Sequence, residues 1–241
     1  WMYKKIKSID SLSNVLRCKL EYTRYQRRQC YRDAGWVQQL RQEKWLLDKN
    51  GHSCSPGELW TLELEAVLGA GFSYLPQGLP STAHYRDFAS FIGVHFNAEA
   101  DGVLAHLCAL RDKNEMDPKR VRPVYEYLSR QLVLVRYIRN IFREKRLILV
   151  PGTGWFKGDE VCWRDPEQIV PSLEIYRGDK LKSFFCIHLG VSDKPEPYHY
   201  ARVLMQLGEN AEPLPLEKAQ KIYRKIWEAY QDEQLDEAVW N

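Results

Sequence analysis

The sequence lacks any apolar run close to the ~20 residues that a membrane-crossing helix needs, which predicts a chain with no membrane partner. Its beginning, Trp1-Met2-Tyr3-Lys4-Lys5, has no hydrophobic stretch behind the lysines and does not read as a secretory leader. None of the six cysteines (Cys18, Cys30, Cys54, Cys108, Cys162, Cys186) stands in a C-x-x-C pair. None of the six histidines (His52, His84, His95, His106, His188, His199) belongs to an H-E-x-x-H pair. Both absences argue against zinc, whose ligands come in closely spaced pairs. A disulfide framework is the habit of short secreted chains, so the cysteines read as free thiols of a cytoplasmic protein. Ends at Trp1 and at Trp240-Asn241 read as those of a piece cut from a larger polypeptide.

Catalytic motifs are missing as well. Gly152 and Gly158 have the separation of a Walker loop, but Asp159-Glu160 follow where Lys and Ser/Thr are required. Two carboxylates there repel phosphate, and Pro151-Gly152-Thr153-Gly154 reads as a hairpin turn. Gly69, Gly71 and Gly78 do not complete G-x-G-x-x-G. Cys186 and His188 are two apart on an expected helix, so they point to different faces and do not pair as nucleophile and base. Asp159, Glu160 and Asp165 remain as a carboxylate cluster. Glu58 holds the place of Glu160 in an earlier stretch, which favours an architectural role. The expectation is a non-enzymatic chain with no cofactor and no metal.

Core-forming material is abundant. With 44% hydrophobic residues, 28% charged, 8 Trp, 14 Tyr and 8 Phe, the chain is globular rather than disordered. Its 241 residues allow one large domain or two ordinary ones. A net charge of +3 is too small to imply a polyanionic partner by itself.

Apolar residues at spacings of three and four (Leu12, Val15, Leu16, Leu20, then Trp36, Val37, Leu40) predict helix over 11–43, with Gly35 as a break or kink. Asn50-Gly51 after Trp45-Leu46-Leu47 predicts a hairpin. Val103, Leu104 and Leu107 stripe another helix. Asp117-Pro118 is a helix start, Asp as N-cap and Pro at the first position, and the pattern continues to Glu144.

The pattern then begins again. Trp45-Leu46-Leu47 is matched by Leu147-Ile148-Leu149-Val150, and Ser55-Pro56-Gly57-Glu58-Leu59-Trp60 by Phe156-Lys157-Gly158-Asp159-Glu160-Val161 and Trp163. Ile92-Gly93-Val94 is matched by Leu189-Gly190-Val191, Val103-Leu104 by Val203-Leu204, and Val124-Tyr125 by Ile222-Tyr223. Order and spacing are both kept, as in a tandem repeat. The predicted architecture is mixed α/β (α+β) and helix-rich, in modules of about 100 residues. Each module has a small hairpin-containing part and a long closing helix. Residues 1–43 are the closing helix of a preceding module, 44–145 module one and 146–241 module two.

Charge is concentrated on two of these helices. Arg17, Lys19, Arg24, Arg27, Arg28 and Arg32 crowd the first, within residues 17–32. Lys119, Arg120, Arg122, Arg130, Arg136, Arg139, Arg143, Lys145 and Arg146 crowd the second, within 119–146. Tyrosines are interleaved, a pattern that contacts phosphates and stacks bases. The candidate nucleic-acid contacts are Arg24, Arg27, Arg28, Arg130, Arg136, Arg139 and Arg143. The competing expectation is a solvated face paired with acidic neighbours.

The run Leu147-Ile148-Leu149-Val150-Pro151-Gly152-Thr153-Gly154-Trp155-Phe156, with Asp159-Glu160-Val161-Cys162-Trp163-Arg164-Asp165-Pro166, Leu181-Lys182-Ser183-Phe184-Phe185 and Leu189-Gly190-Val191, resembles a region of large proteins of the sacsin and NO VEIN type. The likeness spans about 146–210, with a fainter echo over 44–110. In those proteins the region follows a Bergerat-type ATP-binding domain, the class shared with gyrase, MutL and histidine kinases. The resemblance implies an accessory scaffold or interaction region of a chaperone-like or defence-related multidomain ATPase. Its partners would be other domains of the same polypeptide and protein clients. No ATP-binding residue is carried onto this chain, because neither the Asn-containing metal helix nor the Asp-x-Gly-x-Gly box is present. The alternative function is nucleic-acid binding through the two Arg-rich helices.

Overall fold

The computed structural model describes residues 17–19, 31–33, 35–78, 83–209 and 216–231. These form a helix-rich mixed α/β arrangement with four two-stranded sheets. The chain divides into two compact units, Trp1–Glu99 and Ala100–Asn241.

In the first unit, β1 (Arg17–Lys19) pairs antiparallel with β2 (Tyr31–Asp33). Strands therefore interrupt the continuous helix expected over 11–43, and among the described residues of that span α1 (Gly35–Gln42) is helical. A helix would stack Arg24, Arg27, Arg28 and Arg32 one turn apart, and like charges at that spacing oppose it. β3 (Leu46–Leu47) and β4 (Ser53–Cys54) make the hairpin that Asn50-Gly51 announced, with Gly51 at φ +85°. A 3-10 turn over Pro56–Glu58 leads into β5 (Leu59–Trp60). After α2 (Glu65–Leu68), β6 (Ser73–Tyr74) pairs parallel with β5. On the other side of β5, His95 bridges Trp60, also parallel. α3 (Ala83–Ile92) lies between, and Phe88, Ala89 and Ile92 on it bury against Cys54, Leu59, Leu75 and Val94.

The second unit begins with α4 (Ala100–Asp112), which buries Val103, Leu104, Leu107 and Leu110. α5 (Pro118–Leu128) starts as its sequence predicts: the Asp117 carboxylate accepts from the Lys119 N–H at 2.9 Å. The single helix expected from there to Glu144 is broken. The Ser129 hydroxyl donates back to the Glu126 carbonyl at 2.8 Å, a local bond that competes with the helical ladder. A 3-10 turn over Leu132–Leu134 follows, then α6 (Val135–Glu144).

β7 (Ile148–Val150) and β8 (Gly154–Phe156) form a second hairpin, turning through Gly152 at φ +78°. A second 3-10 turn spans Gly158–Glu160. Cys162 then bridges Ser172 on one side and Ser192 on the other, both parallel. α7 (Asp179–Lys182) runs into a π-helix over Ser183–Leu189 that stops at Gly190, φ +81°. α8 (Pro197–Glu209) packs on α9 (Leu216–Gln231). The core between α5, α6 and the π-helix is aromatic. Tyr125 meets Tyr176 and Phe185 edge-on at 5.5 and 5.1 Å between ring centroids, and Phe184 stands edge-on to Phe142 at 6.1 Å.

Among the described residues no helix is long and apolar enough to cross a membrane.

Candidate functional site

The same turn is built twice. Glu58 accepts the backbone N–H of Ser55 at 2.8 Å and pairs with Lys44 at 3.5 Å. Glu160 accepts the backbone N–H of Lys157 at 2.8 Å and pairs with Arg146 at 2.8 Å. In both, a carboxylate three residues into a 3-10 turn satisfies the N–H that opens it. The Ser55 backbone N–H, followed by the Ser55 hydroxyl, holds the Glu58 carboxyl below its ordinary range. Lys44 and Arg146, Ser55 and Lys157, and Glu58 and Glu160 share one offset along the chain.

The other carboxylates that suggested a metal cluster are separately engaged. Asp159 pairs with Arg202 at 3.0 Å. Asp165, 5% exposed, accepts the backbone N–H groups of Glu167 at 3.0 Å and of Ile169 and Val170 at 2.7 Å each. It folds the 165–170 loop onto itself. Among the described residues no group of three His, Cys, Asp or Glu is placed to hold a metal ion. Cys54, Cys108, Cys162 and Cys186 are free thiols, and burial pushes the Cys162 thiol up to about 12.

His199 is a buried structural histidine. Its Nδ1 accepts the backbone N–H of Glu196 at 3.0 Å, so Nε2 carries the proton and donates to the Val161 carbonyl at 3.2 Å. Burial, the first cause, lowers its pKa below the ordinary 6.5. Protonation would also destroy the Nδ1 acceptor. A lowered folded-state pKa means that the unfolded chain takes up the proton first. The stability held above the unfolded value is lost as pH falls below about 6.5. Thermal midpoints taken between about pH 7 and pH 5 should fall more for the parent chain than for His199→Gln. Parallel curves would remove this role.

Of the candidate cations, Arg130, Arg136, Arg139 and Arg143 fall among the described residues, and these four do not share one face. Arg24, Arg27 and Arg28 lie outside the described residues. Arg139 is half-buried and turned inward. It donates through Nη2 to the Ile187 carbonyl at 3.0 Å, near the end of the π-helix, where a cation also meets the negative pole of the helix. Arg120 pairs with Glu115, Arg122 with Glu126 and Arg146 with Glu160. Arg130, Arg136 and Arg143 are exposed, and the last two lie on one face of α6, opposite the buried Ile138 and Phe142. Arg130 precedes the 3-10 turn and is off that face.

Two tyrosines clamp the β7 edge. The Tyr125 hydroxyl donates to the Leu147 carbonyl and accepts the Leu149 N–H, each at 2.8 Å. Tyr176 donates to the Leu149 carbonyl at 3.0 Å. Leu147, Ile148 and Leu149 are fully buried beneath them. The apolar residues of α9 divide between two faces. Ile222 is buried and Ile226 packs with it against Cys162, Tyr200 and their neighbours. Leu216, Tyr223, Trp227 and Tyr230 point outward with 72, 63, 58 and 56% exposure.

No protein-family model, curated protein or solved structure matches this chain.

Proposed function

We propose that the chain is a non-enzymatic scaffold and interaction region assembled from tandem modules of about 100 residues, part of a larger ATPase-associated, chaperone-like or defence-related protein. The observation that carries this reading is the doubled turn: Lys44–Glu58–Ser55 and Arg146–Glu160–Lys157 reproduce one geometry at one offset. Each copy follows a helix and a hairpin in the same register, Leu46 opposite Cys54 and Ile148 opposite Phe156. A further support is that the polar groups resembling catalytic machinery (Glu160, Asp165, His199) are occupied in holding backbone. Repeats of this kind bury their cores between neighbours and present surfaces to partners. Titration with Mg-ATP should give no saturable heat and no phosphate release. Micromolar nucleotide affinity or turnover would overturn the proposal.

Arg136 and Arg143 on α6, exposed and without an ion-pair partner among the described residues, favour a second reading, contact with nucleic acid. A labelled oligonucleotide should then bind at low salt and lose affinity linearly in log salt, with a slope of about −0.7 per contacted phosphate on a single strand. Arg136→Ala with Arg143→Ala should weaken it and flatten that slope. Failure to bind at low salt sinks this second reading and leaves the first intact.

A further inference from the structure

A cleft of about 320 Å³ opens in the Ala100–Asn241 unit between the 165–167 loop, the 194–200 segment and the last turns of α9. Pro166, Pro195 and Pro197 give it stiff, apolar walls. Asp165, Glu167 and Glu228 line it with Lys194 and Lys225, three carboxylates against two ammonium groups. Two of the carboxylates share one cation, because the Lys225 Nζ lies 3.1 Å from Glu167 and 3.1 Å from Glu228. Asp165 is 5% exposed and has no ion-pair partner among the described residues. Its three backbone N–H partners leave about one of the roughly four acceptor positions of a carboxylate unused.

Tyr200, on α8, supplies a second and independent observation. It is 7% exposed, and its ring packs with Cys162, Ile169 and Ile222. Its hydroxyl end reaches the cleft, in the field of Asp165, Glu167 and Lys225, and makes no hydrogen bond among the described residues. Tyr125 and Tyr176 are also buried, yet both donate to backbone carbonyls. A buried tyrosine hydroxyl ordinarily finds a partner, and this one faces the cleft instead. Burial first, then the Asp165 and Glu167 charges, push it up to about 12, so it is a neutral group able to accept from a cation.

We infer that this cleft binds an organic cation, an ammonium or guanidinium group on an aliphatic stem, through the Asp165 carboxylate and the Tyr200 hydroxyl. The charged head offsets the excess of negative charge, and the stem lies along the prolines. The donor set does not suit a metal ion: Lys225 holds the other two carboxylates, and no group of three His, Cys, Asp or Glu among the described residues is placed for one. The cation can come from a free amine or from a lysine or arginine side chain of another protein. Such a site goes beyond the scaffold reading and does not depend on it.

Amide NMR of the full chain, titrated with n-butylammonium and with n-butanol as its uncharged match, tests the site. Butylammonium should saturate with a Kd near or below about 5 mM and shift the Glu167, Ile169 and Val170 N–H signals, whose acceptor is Asp165. Butanol should bind at least about tenfold more weakly. Tyr200→Phe should keep the thermal midpoint, since the hydroxyl holds nothing in the fold, and weaken butylammonium about three- to tenfold. Lys194→Ala removes a like charge and should leave binding equal or tighter. Nα-acetyl-lysine amide separates the sources: affinity matching butylammonium assigns the site to a protein side chain, and exclusion of this probe while butylammonium binds assigns it to a free amine. No saturation by butylammonium up to about 50 mM, equal affinity for butanol, indifference to Tyr200→Phe, or weakening by Lys194→Ala overturns the inference.

Discussion

Asp165→Ala is expected to destabilise the Ala100–Asn241 unit by about 3–5 kcal/mol, because it leaves buried donors facing nothing. Ile169 and Val170 are both buried, and their N–H groups converge at 2.7 Å on one carboxylate oxygen. Hydrogen bonds to a charged acceptor contribute about 1.5–3 kcal/mol each, and a buried N–H left unmade costs its full desolvation. Asp165→Asn keeps an acceptor and should recover part of the loss. Urea titration of the three chains, followed by tryptophan fluorescence, measures the order. If Asp165→Ala and Asp165→Asn cost the same small amount, the loop is held by its apolar side chains instead.

Tyr125→Phe comes next, with an expected loss of about 2–3 kcal/mol. The substitution keeps the ring, and with it the edge-on contacts to Tyr176 and Phe185. What disappears is a single oxygen that donates to Leu147 and accepts from Leu149. Both backbone groups lie where water cannot replace it, since Leu147, Leu149 and Tyr125 are all fully buried. Burial raises the Tyr125 hydroxyl pKa well above its ordinary value, so it acts as a neutral donor and acceptor at any working pH. Amide exchange gives the sharper readout: the Leu149 N–H should lose protection in Tyr125→Phe beyond the global change. Unaltered protection at that amide would mean that another group holds the strand edge.

Both substitutions concern features that local sequence announces unevenly. The hairpins were legible because Gly51, Gly152 and Gly154 supply positive φ, which few other residues adopt. The start of α5 was legible because Asp117 and Pro118 meet two separate needs of a helix N-terminus. Periodicity misled where a competing local bond or charge intervened. It carried one helix through Ser129, whose hydroxyl turns back on the chain, and another through the arginines near β2. It also could not decide which side of α9 faces inward, since Ile222 and Tyr223 are neighbours and both hydrophobic. The fate of Arg139 was equally hidden. Its sequence neighbours advertise a solvated basic face, while its partner, the Ile187 carbonyl, is brought near only by tertiary packing. Asp165 shows the same limit, because an ionic side chain used solely to gather backbone N–H groups looks like any acidic residue until the loop is closed.

The cysteines bear on a different question. Unpaired thiols in the sequence suggested a reducing compartment, yet Cys162 has no exposed surface and a thiol raised to about 12. Thiolate is the form that oxidants and disulfides attack, and at neutral pH such a group supplies almost none of it. Cys162 is therefore sheltered kinetically wherever the chain resides. Its survival as a thiol is a property of the fold, and in this core the redox state of the surroundings leaves no mark.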